Sequence, residues 1–204
     1  MPGLRPIRLL VLGDSTAAGV GADSQADALP GNLAHAILGH YGRGTEWEAI
    51  GRNDSTARDL IVDYLPEATS RVFDLVFLTV GANDALGLRS RGAFRRDVRV
   101  LVDCVRTSSP GALILVSLTP RFDRFASLHN PVRWNLSLHA ASLDDGARRA
   151  VVGMADVFAT PKPAPYTPEF WASDGSHPGA EGYRRWIDFA IDAMPDALLN
   201  SHFG

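Results

Sequence analysis

The sequence predicts an α/β protein: a largely parallel sheet with helices packed on both of its faces. Three observations carry this. Short, continuous apolar runs recur along the chain and stop at glycine or at Thr-Pro, as strands buried on both faces do. Segments with helical spacing of apolar residues lie between those runs. Strand and helix signals alternate from one end of the 204 residues to the other, the order that strand–helix–strand units produce.

The elements follow in order. Ile7 to Leu12 is an apolar run ending at Gly13, and is read as the first strand. It is too short, and too soon interrupted by Arg8, for the apolar core of a secretory signal, so a cytoplasmic protein is expected. The stretch ALPGNLAHAILGHYG (28–42) places Leu29, Leu33, Ile37 and Leu38 near helical spacing, and EWEAIG (46–51) is a shorter strand. STARDLIVDYLPEAT (55–69) reads as a helix with Ser55 or Thr56 near its cap. FDLVFLTVG (73–81) holds the strongest strand, apolar from Leu75 to Val80. In AFRRDVRVLVDCVRTSSP (93–110), Phe94, Val98, Leu101 and Val105 share one helical face, and Arg95, Arg96 and Arg99 form a solvated one. GALILVSLTP (111–120) is another buried strand. WNLSLHAASLDDGARRAVV (134–152) starts as a helix, with a strand expected near Val151 to Ala155. HPGAEGYRRWIDFAIDAM (177–194) is the final helix, with Pro178 suited to its first turn. Two long loops, 121–133 and 160–173, are rich in proline and aromatic residues, which favours ordered pocket walls.

Composition narrows the function classes. The length fits a single domain, 1–204, able to bury a core without staples. The chain is 46% hydrophobic and 21% charged, with a formal charge of -3. There is no basic stripe for nucleic acid. No segment has the length of a membrane span. The single cysteine, Cys104, cannot form an intrachain disulfide, and its place in an amphipathic helix makes it a small buried hydrophobe. Oligomeric state is not set by these features.

Ligands of parallel sheets bind beyond the carboxyl ends of the strands, and the residues there carry chemistry. Gly13, Asp14 and Ser15 follow the first strand; Gly51, Arg52, Asn53 and Asp54 the second; Gly81, Ala82, Asn83 and Asp84 the third. Late in the chain stands DGSHP, with Asp174 three residues before His177. A histidine base needs a carboxylate on its other ring nitrogen, and this spacing lets one short loop present both. A serine hydroxyl is a poor nucleophile without such a base. Ser15, after a glycine at a strand end, is placed for exposure. Asn83 can offer a side-chain N–H to a developing oxyanion, and the Ser15 backbone N–H a second, aided by a helix opening there. Taken singly, GDS is a turn and cap, GAND a loop and DGSH a turn. Their joint occurrence, in this order, points to a nucleophile site. Asp14 either holds the nucleophile turn or caps the helix.

On these blocks, GDST with Ser15, GAND with Gly81, Asn83 and Asp84, and DGSHP with Asp174 and His177, the chain resembles the SGNH hydrolases, the GDSL esterase/lipase family, from residue 7 to about 193. The resemblance implies a flavodoxin-like three-layer α/β/α fold with a central, mostly parallel five-stranded sheet. It implies Ser15 as nucleophile, His177 as base, Asp174 as orienting acid, and Asn83 with the Ser15 amide as oxyanion donors. The family's second block, G-x-x-G-x-T, supplies a further backbone donor from its second glycine. GRNDST (51–56) matches with Gly51 and Thr56 but puts Asp54 at that glycine. A carboxylate beside an oxyanion repels it unless turned away or paired, and Arg52 or Arg58 could pair it. Asn53 is the candidate if the register slips by one. Both residue types tolerate left-handed backbone.

The expected activity is a carboxylic ester hydrolase working through an acyl-enzyme, without metal or organic cofactor, on a small-molecule ester. Short acyl esters, acetylated sugars and longer lipid or thioester substrates all suit the machinery. The apolar loop residues Phe122, Phe125, Leu128, Tyr166, Phe170 and Trp171, with Asn53, are the expected pocket and lean toward acyl chains. Two alternatives stand beside this reading: an acyltransferase using the same acyl-enzyme, and a catalytically impaired binding protein, the latter motivated by Asp54. His35, His40, His129, His139 and His202 show no ligand spacing, although His129 lies in a pocket loop. Trp47 and Trp186 are expected in the core.

Overall fold

The computed structural model describes residues 5–125, 128–163 and 166–204. Residues 126–127 and 164–165 of the two long loops, and the first four of the N-terminal stretch, lie outside the described residues.

Five strands form one sheet: β1 (Ile7–Gly13), β2 (Thr45–Gly51), β3 (Leu75–Thr79), β4 (Leu113–Val116) and β5 (Val157–Ala159). All neighbours are parallel, in the order β2-β1-β3-β4-β5. The sheet is therefore wholly parallel, as continuous apolar strands such as LVFLT require when both faces are covered. Alternation divides the core in two. Ile7, Leu9, Val11, Leu75, Phe77, Leu113 and Leu115 point to the face covered by α1 (Leu29–Tyr41), α7 (Ala180–Asp192) and α8 (Asp196–Phe203). Leu10, Leu12, Val76, Leu78, Ile114 and Val116 point to the face covered by α2 (Ala57–Asp59), α3 (Leu65–Ala68), α5 (Arg91–Ser108) and α6 (Val132–Val151). Each such Leu, Ile, Val or Phe stabilises the fold by about 1.5–3 kcal/mol. Phe94, Val98, Leu101 and Val105 are all buried along α5, as their spacing predicts.

Several elements differ from expectation. No helix opens at Ser15. Residues 15–21 form consecutive turns, and α1 begins only at Leu29. Turn bonds such as Ala18 N–H to Asp14 O (3.0 Å) hold the chain there. GAND is not a loop: Asn83 and Asp84 lie in a short helix, α4 (Ala82–Leu86). The helical stretch after Thr56 contains a π-helical turn, Leu60–Tyr64, between α2 and α3. Thr56 is its cap, with a capping box to Asp59.

The strand expected at Val151 to Ala155 is displaced. α6 continues through Val151, since Ala147, Ala150 and Val151 extend its buried face, and the strand is Val157–Ala159. Pro178 precedes the last long helix rather than entering it, and α8 follows as a further helix. Trp47 is 40% exposed because β2 is the edge strand, and Leu38 lies on the outer side of α1. Cys104 is half-buried against the core. Among the described residues no helix is long and apolar enough to cross a membrane.

The strand order places the site. β2 lies on one side of β1 and β3 on the other, so the chain winds in opposite directions from β1. The connections leave a crevice beyond β1 and β3, the switch point where parallel sheets bind ligands. Gly13, Gly51 and Thr79 are level in the register, so the residues after all three strands open into that crevice.

Candidate active site

Ser15 is placed by its strand and by a close approach. The Asp14 N–H extends the β1–β3 ladder to Thr79 O (3.2 Å). A Cβ on Gly13 would lie 1.9 Å from Thr79 Oγ1 and 2.3 Å from Thr79 O, so only glycine fits at that turn. The turn is then closed by Val20 N–H to Ser15 O (3.0 Å). Asp14 is buried and accepts from the Thr16 N–H (3.0 Å) and hydroxyl (2.8 Å). It thus holds the turn that presents Ser15, and no helix is there for it to cap. Burial pushes its carboxyl above the ordinary value, against the bonds from Thr16 and the nearby His177, which lower it.

Asp174 and His177 come from a loop folded on itself. Ala172 N–H donates to His177 O (2.9 Å), and Gly179 N–H donates to Phe170 O (2.9 Å). Asp174 uses its two oxygens differently. Oδ1 accepts the Ser176 and His177 N–H groups at 2.8 and 2.9 Å, while Oδ2 lies 2.6 Å from His177 Nδ1. Partial burial raises the Asp174 carboxyl, but the His177 and Ser176 bonds outweigh it and hold it below the usual carboxylate range. An ionised carboxylate only accepts, so Nδ1 carries the ring proton and Nε2 is left as an acceptor. His177 Nε2 lies 3.0 Å from Ser15 Oγ, across 162 positions of sequence.

Asn83, in α4 after β3, and Asp54, after β2, line the same crevice. Asn83 Nδ2 donates to Ser55 O (3.0 Å), which engages one amide hydrogen and leaves the other. Asp54 has φ 64, a left-handed backbone that Asn and Asp tolerate better than most residues. Its side chain is exposed and accepts only a long bond from Asn53 Nδ2 (3.4 Å). Neither arginine pairs with it among the described residues: Arg52 is directed at the Tyr64 hydroxyl, and Arg58 forms no ion pair. Of the two ways to relieve the Asp54 charge, pairing by Arg52 or Arg58 is not seen among the described residues.

Ser15, Asn53, Asp54, Asn83 and His177 line one cavity of about 280 Å³. So do Phe122, Phe125, Leu128, Phe170 and Trp171, the apolar residues expected there. Asp174 stands behind His177 and outside the lining. The aromatic rings form a continuous wall: Phe122 to Phe125 (5.1 Å), Phe125 to Trp171 (5.1 Å), Trp171 to Tyr166 (5.3 Å) and Tyr166 to Phe170 (4.7 Å between centroids). Burial pushes the Tyr166 phenol up to about 12, and its oxygen accepts the Arg121 N–H (3.1 Å). The chain's single lysine anchors the base of this wall. Lys162 Nζ reaches Asp144 Oδ2 (2.5 Å), Thr119 Oγ1 (3.1 Å) and Thr119 O (3.2 Å), so the 160–173 loop is tied to α6 and to the chain just before the 121–133 loop. Among the described residues no group of three His, Cys, Asp or Glu side chains could hold a metal ion.

The GDSL-like lipase/acylhydrolase family matches residues 11–185, an interval that runs through all three motif blocks. The chain belongs to this family. The GDSL-like chain is 27% identical over 210 residues to a GDSL-like esterase, Rv1075c, of Mycobacterium tuberculosis, covering 94% of this chain and 63% of that protein. It thus spans just under two thirds of that relative's length. A family 3 carbohydrate esterase of Clostridium thermocellum has the same fold, with a TM-score of 0.73 at 16% identity over 97% of this chain and all of the other. A lipase from a goat rumen metagenome superposes with a TM-score of 0.72 at 11% identity, covering 92% and 97% of the two chains.

Other residues of the GDSL-like chain at this cavity were not foreseen. Trp186 is buried as expected but also lines the cavity, as do Thr79, Ser117 and Leu86. Thr79 and Ser117 carry a signal after the fact: each is a polar residue at the end of an otherwise apolar strand. Leu86 had none, because its position depends on the short helix α4.

Proposed function

We propose that this chain is a serine hydrolase of carboxylic esters that works through an acyl-enzyme. The observation that supports it best is the chain of contacts from Ser15 Oγ to His177 Nε2 (3.0 Å) and from His177 Nδ1 to Asp174 Oδ2 (2.6 Å), at the edge of an apolar cavity. In the neutral tautomer, His177 accepts the Ser15 proton as the hydroxyl attacks the ester carbonyl. The imidazolium that forms is stabilised by Asp174. The carbonyl oxygen becomes an oxyanion facing the Ser15 and Asp54 N–H groups and the second Asn83 amide hydrogen, donors worth about 10²–10³ in rate each. Collapse breaks the ester C–O bond, and His177 returns its proton to the departing alcohol. Water then gives a proton to His177 and adds to the acyl carbon, the acid leaves, and Ser15 recovers its proton.

The aromatic wall favours an acyl chain over a sugar, since it offers apolar contact and few polar groups. A cavity of about 280 Å³ lies at the small end for ligand sites, which fits short to medium acyl groups. Water as acceptor is the reading that needs no further site. The test is hydrolysis of p-nitrophenyl esters from acetate to dodecanoate by the purified chain, with and without added alcohol. Release of phenolate with free acid, highest for short to medium chains and lowered about 10⁶-fold in Ser15→Ala, is expected. Undiminished turnover in that variant contradicts the assignment, and esters of the added alcohol as main product identify a transferase.

A further inference from the structure

Two bonds cross from Asn83 and Asp84 to the backbone just after Asp54. Asn83 Nδ2 donates to Ser55 O (3.0 Å), and the Ala57 N–H donates to Asp84 Oδ2 (2.9 Å). The first turn of one helix, α4, is thereby riveted to the start of another, α2. The segment between the rivets and the cavity is the strained one, with Asp54 at φ 64.

Asp84 is costly where it stands. It is fully buried, and its second oxygen, Oδ1, has no hydrogen-bond partner among the described residues. Burial pushes its carboxyl up to about 6, while the Ala57 bond and the Arg89 guanidinium pull the other way and Asp97 adds to the rise. Arg89 is itself engaged by Asp97, so the charge on Asp84 is only partly offset. A leucine or alanine would fill the place with less penalty. What the carboxylate provides is a fixed bond to Ala57, two residues from Ser55 and three from Asp54.

We propose that Asp84 is a positioning residue for the oxyanion hole: by accepting the Ala57 N–H it fixes the spacing between the Asn83 amide and the Asp54 N–H. This rests on the reading of those two groups as oxyanion donors. Without the Asp84 bond, the Asn83–Ser55 bond alone connects α4 to this segment, and one bond is a pivot where two are a brace. Asp84 touches neither the substrate nor the reacting atoms; it acts through the donors on either side.

The experiment measures kcat and KM of the full chain on p-nitrophenyl butyrate, with active sites counted by fluorophosphonate titration. Asn83→Ala is expected to lower kcat about 10²–10³-fold. Asp84→Ala is expected to lower kcat about 10–10²-fold, the scale of a donor misplaced by an ångström, with KM nearly unchanged. In the Asn83→Ala background most of the Asp84→Ala loss should vanish, because the donor it positions is gone; a purely structural defect adds in full. Ala57→Pro removes the same bond from the other side, at a first helical position where proline fits. It carries the test if Asp84→Ala does not fold. Wild-type kcat in the Asp84 or Ala57 variant, or equal losses in both backgrounds, overturns the proposal and leaves the oxyanion hole standing. Wild-type kcat in Asn83→Ala removes the hole and the proposal with it.

Discussion

Gly21 lies against the carbonyl of Pro178: a Cβ at residue 21 would sit 2.3 Å from Pro178 O and 3.2 Å from His177 Cβ. The end of the Ser15 turn and the histidine loop are therefore in contact through a position that has no room for a side chain. A second tie runs beside it, from the Tyr183 hydroxyl to Val20 O (2.6 Å). Together they hold the two loops at the separation that brings Ser15 Oγ to His177. Gly21→Ala should wedge them apart. It also places alanine at φ +96, a backbone that disfavours L side chains. Turnover on p-nitrophenyl butyrate is expected to fall about 10²-fold with the circular dichroism of the fold retained. Turnover near that of the wild type contradicts the wedge.

The Lys162 clamp predicts a change in selectivity. Lys162→Met keeps the apolar stem and removes the ammonium from Asp144 and Thr119. Loss of these charged bonds is expected to lower stability by about 1.5–3 kcal/mol, read by urea denaturation. The loop bearing Trp171 loses its bonds to Thr119 and α6, so KM should rise more for p-nitrophenyl hexanoate than for acetate. An unchanged ratio of kcat/KM between the two esters contradicts the anchoring role.

Asp84 predicts an unusual pH dependence of stability. Its folded value of about 6 lies above the ordinary 3.8, so the folded state binds the proton more tightly than the unfolded chain. Its contribution is present in full below 3.8 and is lost as the pH rises through 6. Asp84→Asn does not titrate. Relative to that variant, the wild type should lose up to about 3 kcal/mol between pH 3.8 and the range above 6. Denaturation of both proteins at pH 4 and pH 7.5 measures it; a constant difference contradicts it.

Asp54 predicts a gain. Asp54 lines the cavity with no ion pair among the described residues, and on the proposed mechanism its carboxylate would repel the developing oxyanion. Asp54→Asn removes the charge and keeps a residue suited to φ 64. kcat is expected to rise about 2–5-fold at low salt, the scale of an exposed charge interaction, and the gain should shrink as salt screens the carboxylate. A fall in kcat at every salt concentration gives Asp54 a different role.

The sheet and the chemistry were legible in the sequence for different reasons. Strands such as Leu75–Thr79 and Leu113–Val116 are continuous apolar runs, and that signal survives any tertiary context. The place of Ser15 and the pairing of Asp174 with His177 were legible because a hydroxyl just after a strand-ending glycine, and a carboxylate three residues before an imidazole, are local patterns. What failed was set by neighbours distant in sequence. Nothing local says that β2 is an edge strand, so Trp47 read as core. The limit of α6 is set by packing of Ala147, Ala150 and Val151 on the core, which displaced the β5 strand to Val157–Ala159. The turn at Ser15 mimics a helix start because its small residues suit both, and its true conformation depends on Thr79 and Pro178. The Lys162 clamp and the Asp84 bond are likewise long-range: no pattern surrounds Lys162, and the GAND block marks Asp84 without indicating Ala57 as its partner.

Covalent labelling tests the central claim most directly. The purified chain is treated with a fluorophosphonate, digested, and mapped by mass spectrometry, alongside His177→Ala and Asp174→Ala. The account predicts one modified residue, Ser15, labelled rapidly in the wild type and orders of magnitude more slowly in both variants. Modification at another residue, or labelling of Ser15 at an equal rate without His177, contradicts it.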